Sequence, residues 1–392
     1  MKVYFDLLSL IIYILFAVLG MTCCNQIKNK ERASGKQVRL ASRFYLLWIF
    51  SWSIMASMRL INAYGVGGTD AYMYISFFQN CNSFQKMLSA EHFDIGFKLF
   101  TYIVRLFINN YHVYTFVCAF IIVLSYAVVI KELCPFSIET IPLVLIFYIF
   151  LRGFTTFRTN LSVAFLLLGI VYLYKKNYLK SFVLLITSIL FHKASIIYVM
   201  IFPFIIIYNK RKLKVKESFA LICLGIIFGK CIQTLMLGDF GQSLGGAYSS
   251  YASRSIGTSF FDGFWKIALE QMLLALCMLG FKRQCNKYYL NVTTTESEKF
   301  KFIWNVCIFD FIMIPITYII SMWRGYEYLY IIRLIMWGAL LDILLKYFDN
   351  YSKRIVQTLS LIVFITWLMW RVYETYESSG LLPYKLFIMS SQ

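Results

Sequence analysis

The sequence predicts an all-α polytopic integral membrane protein, on three observations. Of its 392 residues, 60% are hydrophobic and only 15% are charged, whereas soluble domains carry about 25% charged residues. Apolar runs of roughly 20 residues recur along the chain, which is the length that a helix needs to cross a bilayer core. These runs lack the short alternating strands of an outer-membrane barrel. A soluble enzyme, a disordered chain and a disulfide-stapled secreted module are therefore excluded.

The net charge of +19 indicates the orientation of the chain in the membrane. Cytoplasmic loops of membrane proteins collect Lys and Arg. Most of the basic residues lie in short polar gaps between apolar runs, within 28–43, 175–180, 210–216, 282–301 and 346–354. We assign these gaps to the cytoplasm, which places the N-terminus outside and removes any need for a nucleic-acid partner.

The apolar runs predict about 10–12 transmembrane helices in one transmembrane domain, residues 1–392. The first run is kept as a crossing because it lacks the cleavage site of a secretory signal. In chain order the crossings are 3–24, 44–61, 111–130, 140–151, 159–174, 219–237, 264–281, 302–322, 327–346 and 355–372. Residues 97–108 are too short to cross and carry Lys98 and Arg105 on one helical face. That pattern indicates an amphipathic helix on the outer surface.

Residues 181–208 predict a re-entrant or broken segment. Cytoplasmic clusters flank both ends, so the segment crosses an even number of times. A polar break, Phe191–Ser195, lies near its middle, and we expect two short helices with His192 at their apex. Non-helical backbone at membrane depth needs protein or a water-filled cavity around it, so this break indicates a cavity.

The predicted active-site face consists of the external loops 62–96 and 238–263 and the external helix end 152–158. Several charged residues outside the cytoplasmic clusters gather there: Asp70, Asp94, Arg152, Arg158, His192, Arg254 and Arg324. Arginine offers a planar, permanently charged fork to phosphate oxygens. Such a face suits an anionic substrate that sits in the membrane, for example a lipid diphosphate. The alternative for each arginine is a side chain that snorkels from a helix end without a ligand.

Three of these residues are the predicted catalytic groups. Asp70 is the candidate general base or acceptor-hydroxyl contact, with a helix N-cap as the alternative. Arg158 opens a helix whose free N–H groups also favour anions, and Ser162 lies one turn along the same face as a substrate contact. His192 can donate a hydrogen bond or titrate near neutral pH, or it caps the broken helix.

The remaining candidates are substrate-binding residues. Asp94 and Tyr74 are a polar and a stacking contact, with core packing as the alternative for the tyrosine. Arg152 supports Arg158 or anchors the helix at the interface, and Arg324 is the candidate for a second diphosphate. Arg254 lies in a loop that could order over substrate.

One further set of charges lies within the spans themselves. Arg333 needs a partner there, and Glu270 and Asp310 are plausible ones. We interpret this trio as structural.

The resemblance to a known family rests on five motif segments in order: Gly68–Tyr74, Asp94–Phe97, Arg158–Ala164 with Phe191–Ser195, Arg324 followed by tyrosines at 326, 328 and 330, and Pro383–Lys385. Over residues 45–385 the chain resembles the EpsG family of bacterial membrane proteins, which is grouped with Wzy-type O-antigen and capsule polymerases. Two positions depart from the family pattern: Asp94 stands where Glu is general, and Thr159 where Gln is frequent.

The resemblance implies a glycosyltransferase at the outer face of the bacterial cytoplasmic membrane. It would join oligosaccharide units carried on undecaprenyl diphosphate, and the diphosphate-lipid of the growing chain would leave. Such a reaction needs positive charge for the departing diphosphate and a group that accepts the hydroxyl proton. We expect no cofactor and no metal. The expected partners are the lipid-linked donor and acceptor, the bilayer and a chain-length regulator.

Two alternatives stay open. A flippase or transporter of the same lipid-linked sugar predicts internal repeats with broken helices in both halves, whereas the sequence has one broken segment and no evident repeat. A membrane acyltransferase that modifies polysaccharide would need a histidine reachable from the cytoplasm. His192 meets that requirement only if the topology is inverted.

Overall fold

The computed structural model describes residues 3–31, 36–135, 138–208, 215–237, 265–290, 295–319 and 323–386. The elements in these ranges are helices, apart from one isolated bridge between Arg59 and Leu386. This confirms the predicted all-α class. The loop 238–263, with Arg254, lies outside the described residues.

The chain divides into two compact units, Met1–Val199 with Leu344–Gln392 and Met200–Ile343. The first unit contains α1 (Leu7–Glu31), α2 (Lys36–Met58), α3 (Ala71–Asn80), α4 (Phe84–Leu88), α5 (Ile95–Phe107), α6 (Tyr111–Leu133), a 3-10 helix (Ile141–Leu145), α7 (Ile146–Thr155), α8 (Phe157–Tyr174), α9 (Tyr178–Phe191), a 3-10 turn (Lys193–Ser195), α10 (Ile196–Val199) and α17 (Asn350–Ser379). The second contains α11 (Ile201–Tyr208), α12 (Val215–Leu237), α13 (Trp265–Gly280), α14 (Lys282–Cys285), a π-helix (Asn286–Leu290), α15 (Thr295–Ile319), a 3-10 helix (Trp323–Glu327) and most of α16 (Tyr330–Leu345). The single transmembrane domain stays a prediction.

Five helices of the described ranges are long and apolar enough to cross a membrane: Leu7–Gln26, Tyr111–Leu133, Phe157–Tyr174, Thr295–Ile319 and Asn350–Ser379. Five shorter apolar helical segments accompany them: Ile141–Thr155, Tyr178–Phe191, Lys193–Tyr208, Cys223–Thr234 and Leu269–Gly280. With these segments the chain is a polytopic membrane protein.

The short amphipathic helix predicted after the first long loop is α5. Its polar face turns toward the protein, since Lys98 is buried and its Nζ donates to the carbonyl of Leu88 at 3.1 Å. Its apolar face is exposed, with Ile95, Leu99 and Ile103 in one row. A row of this kind is typical of a helix that presents its apolar side to lipid.

The break predicted in the segment 181–208 is confirmed at His192. The helix α9 ends at Phe191, and His192 adopts an extended conformation with φ −153° and ψ 107°. The Ser195 N–H then donates to the His192 carbonyl at 2.9 Å, which closes the 3-10 turn. Two short helices, α10 and α11, follow.

Small residues let α8 and α9 pack closely as an antiparallel pair. The Ser181 hydroxyl donates to the Gly169 carbonyl at 2.8 Å, and a Cβ at Gly169 would lie 2.9 Å from the Leu185 side chain. Small residues and interhelical hydrogen bonds of this kind hold helices together in lipid. The two chain ends of the pair, the start of α8 and the end of α9, therefore lie at the same level.

In the second unit, glycines of α12 contact α15. Gly225 and Gly229 are four residues apart, and Cβ atoms there would lie 2.8 Å from the Ile312 carbonyl oxygen and 3.0 Å from the Ile319 side chain. This small-xxx-small spacing permits close approach of two helices in a membrane.

A buried ion pair joins three helices of the same unit. Arg333 Nε lies 3.1 Å from Asp310 Oδ2, and the Gln271 side-chain amide donates to the same oxygen at 3.0 Å. Asp310 is one of the two partners that the sequence predicts for Arg333. The guanidinium also donates to the Tyr326 carbonyl.

Breaking this pair on one side is expected to destabilise the protein more than replacing both sides. Arg333→Leu leaves a buried carboxylate uncompensated, which costs about 3–5 kcal/mol, whereas two apolar residues in place of the pair approach the stability of the native protein. Apparent melting temperatures in detergent should therefore rank wild type, then Arg333→Leu with Asp310→Leu, then Arg333→Leu. A double variant that melts below the single variant would contradict the structural role of the pair.

Candidate functional site

Three polar side chains that are distant in sequence meet at one end of the helices of the first unit. One carboxylate oxygen, Asp94 Oδ2, lies 3.3 Å from a terminal guanidinium nitrogen of Arg158 and 3.4 Å from His192 Nδ1. Their side chains are 7%, 21% and 12% exposed, respectively. The same Arg158 nitrogen donates to the His92 carbonyl at 3.0 Å. The structure thus brings together Asp94 and two of the three predicted catalytic residues.

Helix ends position all three residues. Asp94 is the last residue before α5, Arg158 is the second residue of α8, and His192 directly follows α9. The first turn of α5 approaches the end of α9 closely, since a Cβ at Gly96 would lie 2.7 Å from the carbonyl carbon of Leu190. This contact explains why the motif Asp94–Phe97 carries a glycine.

A layer of aromatic rings supports the cluster. Tyr74 of α3 lies 5.7 Å from Phe93, 5.4 Å from Phe97 and 5.5 Å from Phe157 between ring centroids. Phe93 precedes Asp94, and Phe157 precedes the arginine of the cluster. Tyr74 is only 2% exposed, so it packs in the core, which was the alternative to its predicted role as a sugar platform. The layer holds two of the charged residues in fixed positions.

The geometry of the histidine favours an orienting role for the carboxylate. With its proton on Nδ1, His192 donates to Asp94 and places the ring lone pair on Nε2. A carboxylate that holds an imidazole in this tautomer stabilises the imidazolium that forms when Nε2 takes up a proton. Arg158 supplies a permanent positive charge beside it. The cluster therefore combines a proton acceptor with an anion-binding group.

Asp70 directly precedes α3 and is half-buried. Its carboxylate makes no capping hydrogen bond to the first turn of α3, which differs from the helix-cap alternative. One helical turn later, Tyr74 reaches the aromatic layer. Asp70 thus adjoins the helix whose Tyr74 packs in the aromatic layer. Its part in catalysis stays a prediction.

Arg59 is a structural residue of the site that was not among the predicted ones. It is 1% exposed, and its guanidinium donates to the Gly67 carbonyl at 2.8 Å and the Phe154 carbonyl at 3.3 Å. The same group lies 3.9 Å above the Phe154 ring. Arg59 therefore ties the Gly-rich loop, residues 65–69, to the junction of α7 and α8, just before Arg158. A basic residue at the end of an apolar run, followed by several glycines, was the signal for it.

The Gly-rich loop also docks on the C-terminal end of α17. The Gly67 N–H donates to the Gly380 carbonyl and the Thr69 N–H to the Ser379 carbonyl, both at 3.1 Å. The Thr155 hydroxyl donates to the same Ser379 carbonyl at 2.6 Å. The loop, the end of α7 and the end of α17 therefore share one hydrogen-bonded junction.

The tail motif Pro383–Lys385 packs against the same end of the first unit. The Tyr384 hydroxyl donates to the Met55 carbonyl at 2.9 Å, and the Leu60 N–H donates to the Lys385 carbonyl at 2.6 Å. Burial raises the pKa of Tyr384 to about 12, against an opposing effect of Arg59. The tyrosine is therefore a neutral donor at physiological pH. With the tail motif, four of the five motif segments lie in this unit.

Two predicted substrate contacts lie in the protein interior. Ser162 is fully buried, and its hydroxyl contacts the Ser188 carbonyl at 2.8 Å and the Ser188 hydroxyl at 2.9 Å across α8 and α9. Its hydroxyl thus joins the two helices, and its contact with substrate stays a prediction. The helical spacing that puts Ser162 on the same face of α8 as Arg158 also turns it toward α9. Arg152 is 4% exposed in the last turn of α7 and is not the interfacial anchor considered from the sequence.

Arg324 and Arg254 do not belong to the described part of the first unit. Arg324 is half-buried in the 3-10 helix Trp323–Glu327 of the second unit, and Arg254 lies outside the described residues. In the part of the chain that the structure describes, no group of three or more His, Cys, Asp or Glu side chains could hold a metal ion.

A model of the EpsG family matches residues 42–386. The chain belongs to the EpsG family. The match spans all five motif segments and the whole of the cluster. The amylovoran biosynthesis protein AmsC of Erwinia amylovora is 24% identical over 237 residues, which are 58% of this chain. The aligned part covers 61% of the length of that relative. No solved structure matches this EpsG-family chain.

A substitution in the Gly-rich loop is expected to destabilise the site locally. Gly68 has φ +123°, and a Cβ there would lie 2.2 Å from the Phe154 carbonyl oxygen. Gly68→Ala should therefore lower the apparent melting temperature, since backbone strain of this kind costs about 1–3 kcal/mol before the clash is counted.

The matched control is Gly153→Ala on the neighbouring helix α7. A Cβ at Gly153 meets its nearest neighbour, the Asn160 side chain, at 3.5 Å, so little change is expected. Differential scanning fluorimetry of both variants measures the contrast. Equal melting temperatures would contradict the observed packing of the loop against α7.

Proposed function

We propose that this EpsG-family protein is a polysaccharide polymerase, a membrane glycosyltransferase that joins undecaprenyl-diphosphate-linked oligosaccharide units at the outer face of the bacterial cytoplasmic membrane. The product would be an O-antigen, capsule or exopolysaccharide chain. The observation that carries the proposal is the cluster of Asp94, Arg158 and His192. The family membership and the relative named for amylovoran biosynthesis support it.

The proposed reaction needs a positive charge for the leaving diphosphate and an acceptor for the hydroxyl proton, and the cluster contains a group for each role. A hydroxyl of the acceptor unit attacks the anomeric carbon of the donor chain, the bond from that carbon to the diphosphate oxygen breaks, and the diphosphate-lipid leaves with the electron pair. Arg158 stabilises the charge that develops on the leaving diphosphate. The hydroxyl proton passes to His192 Nε2, and Asp94 stabilises the resulting imidazolium.

Asp70 is the second candidate for the proton acceptor. It is half-buried and directly precedes α3. Arg152, Arg254 and Arg324 stay candidates for further substrate contacts, the last for a second diphosphate. Ser162 and Tyr74 are both buried and stay predictions as substrate contacts.

The outward orientation rests on the distribution of charge along α8. Arg158 lies at the start of this helix, and Lys175 and Lys176 directly follow its other end. The 18 residues of α8 extend about 27 Å, which is close to the thickness of the hydrocarbon core. Because lysines collect on the cytoplasmic side, we infer that the cluster lies on the outer side. Its proposed partners there are the lipid-linked units and the bilayer that holds them. A chain-length regulator is a further proposed partner.

A flippase of the same substrate is the second candidate, and the helix break at His192 favours it. Discontinuous helices at a substrate site are typical of secondary transporters. A flippase moves the lipid-linked unit across the bilayer and forms no glycosidic bond. The product of a purified reaction therefore separates the two functions.

The test is a reconstituted reaction with one synthetic undecaprenyl-diphosphate-linked repeat unit. Wild-type proteoliposomes should convert it into a ladder of longer chains. Arg158→Ala should slow the ladder by about 100-fold or more, which is the usual loss when a group that stabilises developing charge is removed.

The matched control for this test is Arg105→Ala. Arg105 lies near the far end of α5 and donates to the Ile108 carbonyl at 3.4 Å, so its loss should leave the ladder unchanged. Equal ladders from the two variants would remove Arg158 from the reaction. Translocated but unlengthened substrate with the wild-type protein would favour the flippase.

A further inference from the structure

Two buried hydrogen-bond donors, one in the cluster and one close to it in sequence, have no partner within the described ranges. These are the Ser195 hydroxyl and the Arg158 Nε. Ser195 is fully buried. Buried polar groups are nearly always hydrogen-bonded in folded proteins, so each exception needs an explanation such as a missing ligand.

Both donors belong to the same end of the first unit. Ser195 is the last residue of the 3-10 turn that begins directly after His192, and its N–H donates to the His192 carbonyl. This turn packs against α8, whose second residue is Arg158. His192 and Arg158 in turn contact one oxygen of Asp94.

The chemistry of the two donors indicates an anionic oxygen as their missing partner. Arg158 Nε can only donate a hydrogen bond, and the Ser195 hydroxyl can donate one. The Arg158 nitrogen that contacts Asp94 and the His92 carbonyl is already engaged, so a second edge of the guanidinium holds the unused donor. A phosphate oxygen accepts several hydrogen bonds and binds arginine with good geometry.

We infer that Ser195 is a further substrate-binding residue, whose hydroxyl and Arg158 Nε together bind a phosphate oxygen of the lipid-linked substrate. This inference rests on the proposed function, because it assigns two donors to the diphosphate of that substrate. The ligand satisfies both donors when it enters. The buried Ser195 hydroxyl therefore destabilises the free protein and stabilises the complex with the ligand.

Ser188 of α9 provides the matched contrast. It is also a fully buried serine, but its hydroxyl donates to the Ser162 carbonyl at 2.8 Å. Removing this hydroxyl takes a hydrogen bond from the free protein. Removing the Ser195 hydroxyl takes none among the described residues.

The experiment measures melting temperature and diphosphate binding for the purified full chain in detergent. The probes are inorganic diphosphate and undecaprenyl diphosphate, which separate a headgroup contact from binding of the lipid. Ser195→Ala should melt at the wild-type temperature or above it, and both probes should bind about ten- to hundredfold more weakly, as for a lost hydrogen bond to a charged group. Ser188→Ala should melt at a lower temperature and bind both probes like the wild type.

Several outcomes would overturn the inference. Wild-type affinity of Ser195→Ala would remove the hydroxyl from the site, and a melting temperature as low as that of Ser188→Ala would make it a structural residue. Ser195→Cys is nearly isosteric and keeps only a weak donor, so its affinity should lie between those of wild type and Ser195→Ala; affinity as weak as that of the alanine variant would count against the hydrogen bond.

The same measurements separate this inference from the proposed function. Diphosphate binding by the wild type without a polysaccharide ladder would reject the polymerase and leave the phosphate contact of Ser195 standing. A ladder from the wild type with unchanged diphosphate binding in Ser195→Ala would reject the inference alone. No diphosphate binding by the wild type would reject the phosphate site itself.

Discussion

The carboxylate of Asp94 is the group on which the rest of the site depends. One of its oxygens contacts both Arg158 and His192, and the residue is 7% exposed. A buried carboxylate is costly unless it is paired and hydrogen-bonded. The fold meets this requirement by bringing the start of α8 and the end of α9 to the start of α5. Three helix ends are thereby fixed relative to one another.

The surrounding structure makes this meeting point rigid. Serines and glycines set the close packing of α8 on α9, aromatic rings support the loop before α5, and Arg59 holds the Gly-rich loop against the junction that precedes Arg158. Groups that stabilise a developing charge act best when they are positioned before the reaction begins. Ser195 Oγ and Arg158 Nε have no partner among the described residues, and in the proposed phosphate site they extend this preorganisation toward a ligand. The chemistry proposed for this site thus depends on helix packing.

Sequence patterns predicted the features that depend on local chemistry. Long apolar runs identified the helices, the polar break identified the turn at His192, and the charge of Arg333 predicted a buried acidic partner, which is Asp310. Contacts between helices that are distant in sequence could not be predicted in this way, because they depend on the rotation of each helix about its own axis. The contact of Ser162 with α9 was therefore not predicted. Arg59 was missed because its partners are backbone carbonyls, so that only its position at the end of an apolar run before several glycines indicated its role.

A double-mutant cycle on Asp94 and Arg158 tests the central claim most directly. The free energies of unfolding of the wild type, Asp94→Asn, Arg158→Gln and the double variant give the coupling energy between the two side chains. Residues in contact within one charged network show coupling energies of about 0.5–3 kcal/mol, so the double variant should be less destabilised than the sum of the single variants. Additive losses would show that the two groups do not interact, and would contradict the shared carboxylate as the centre of the site.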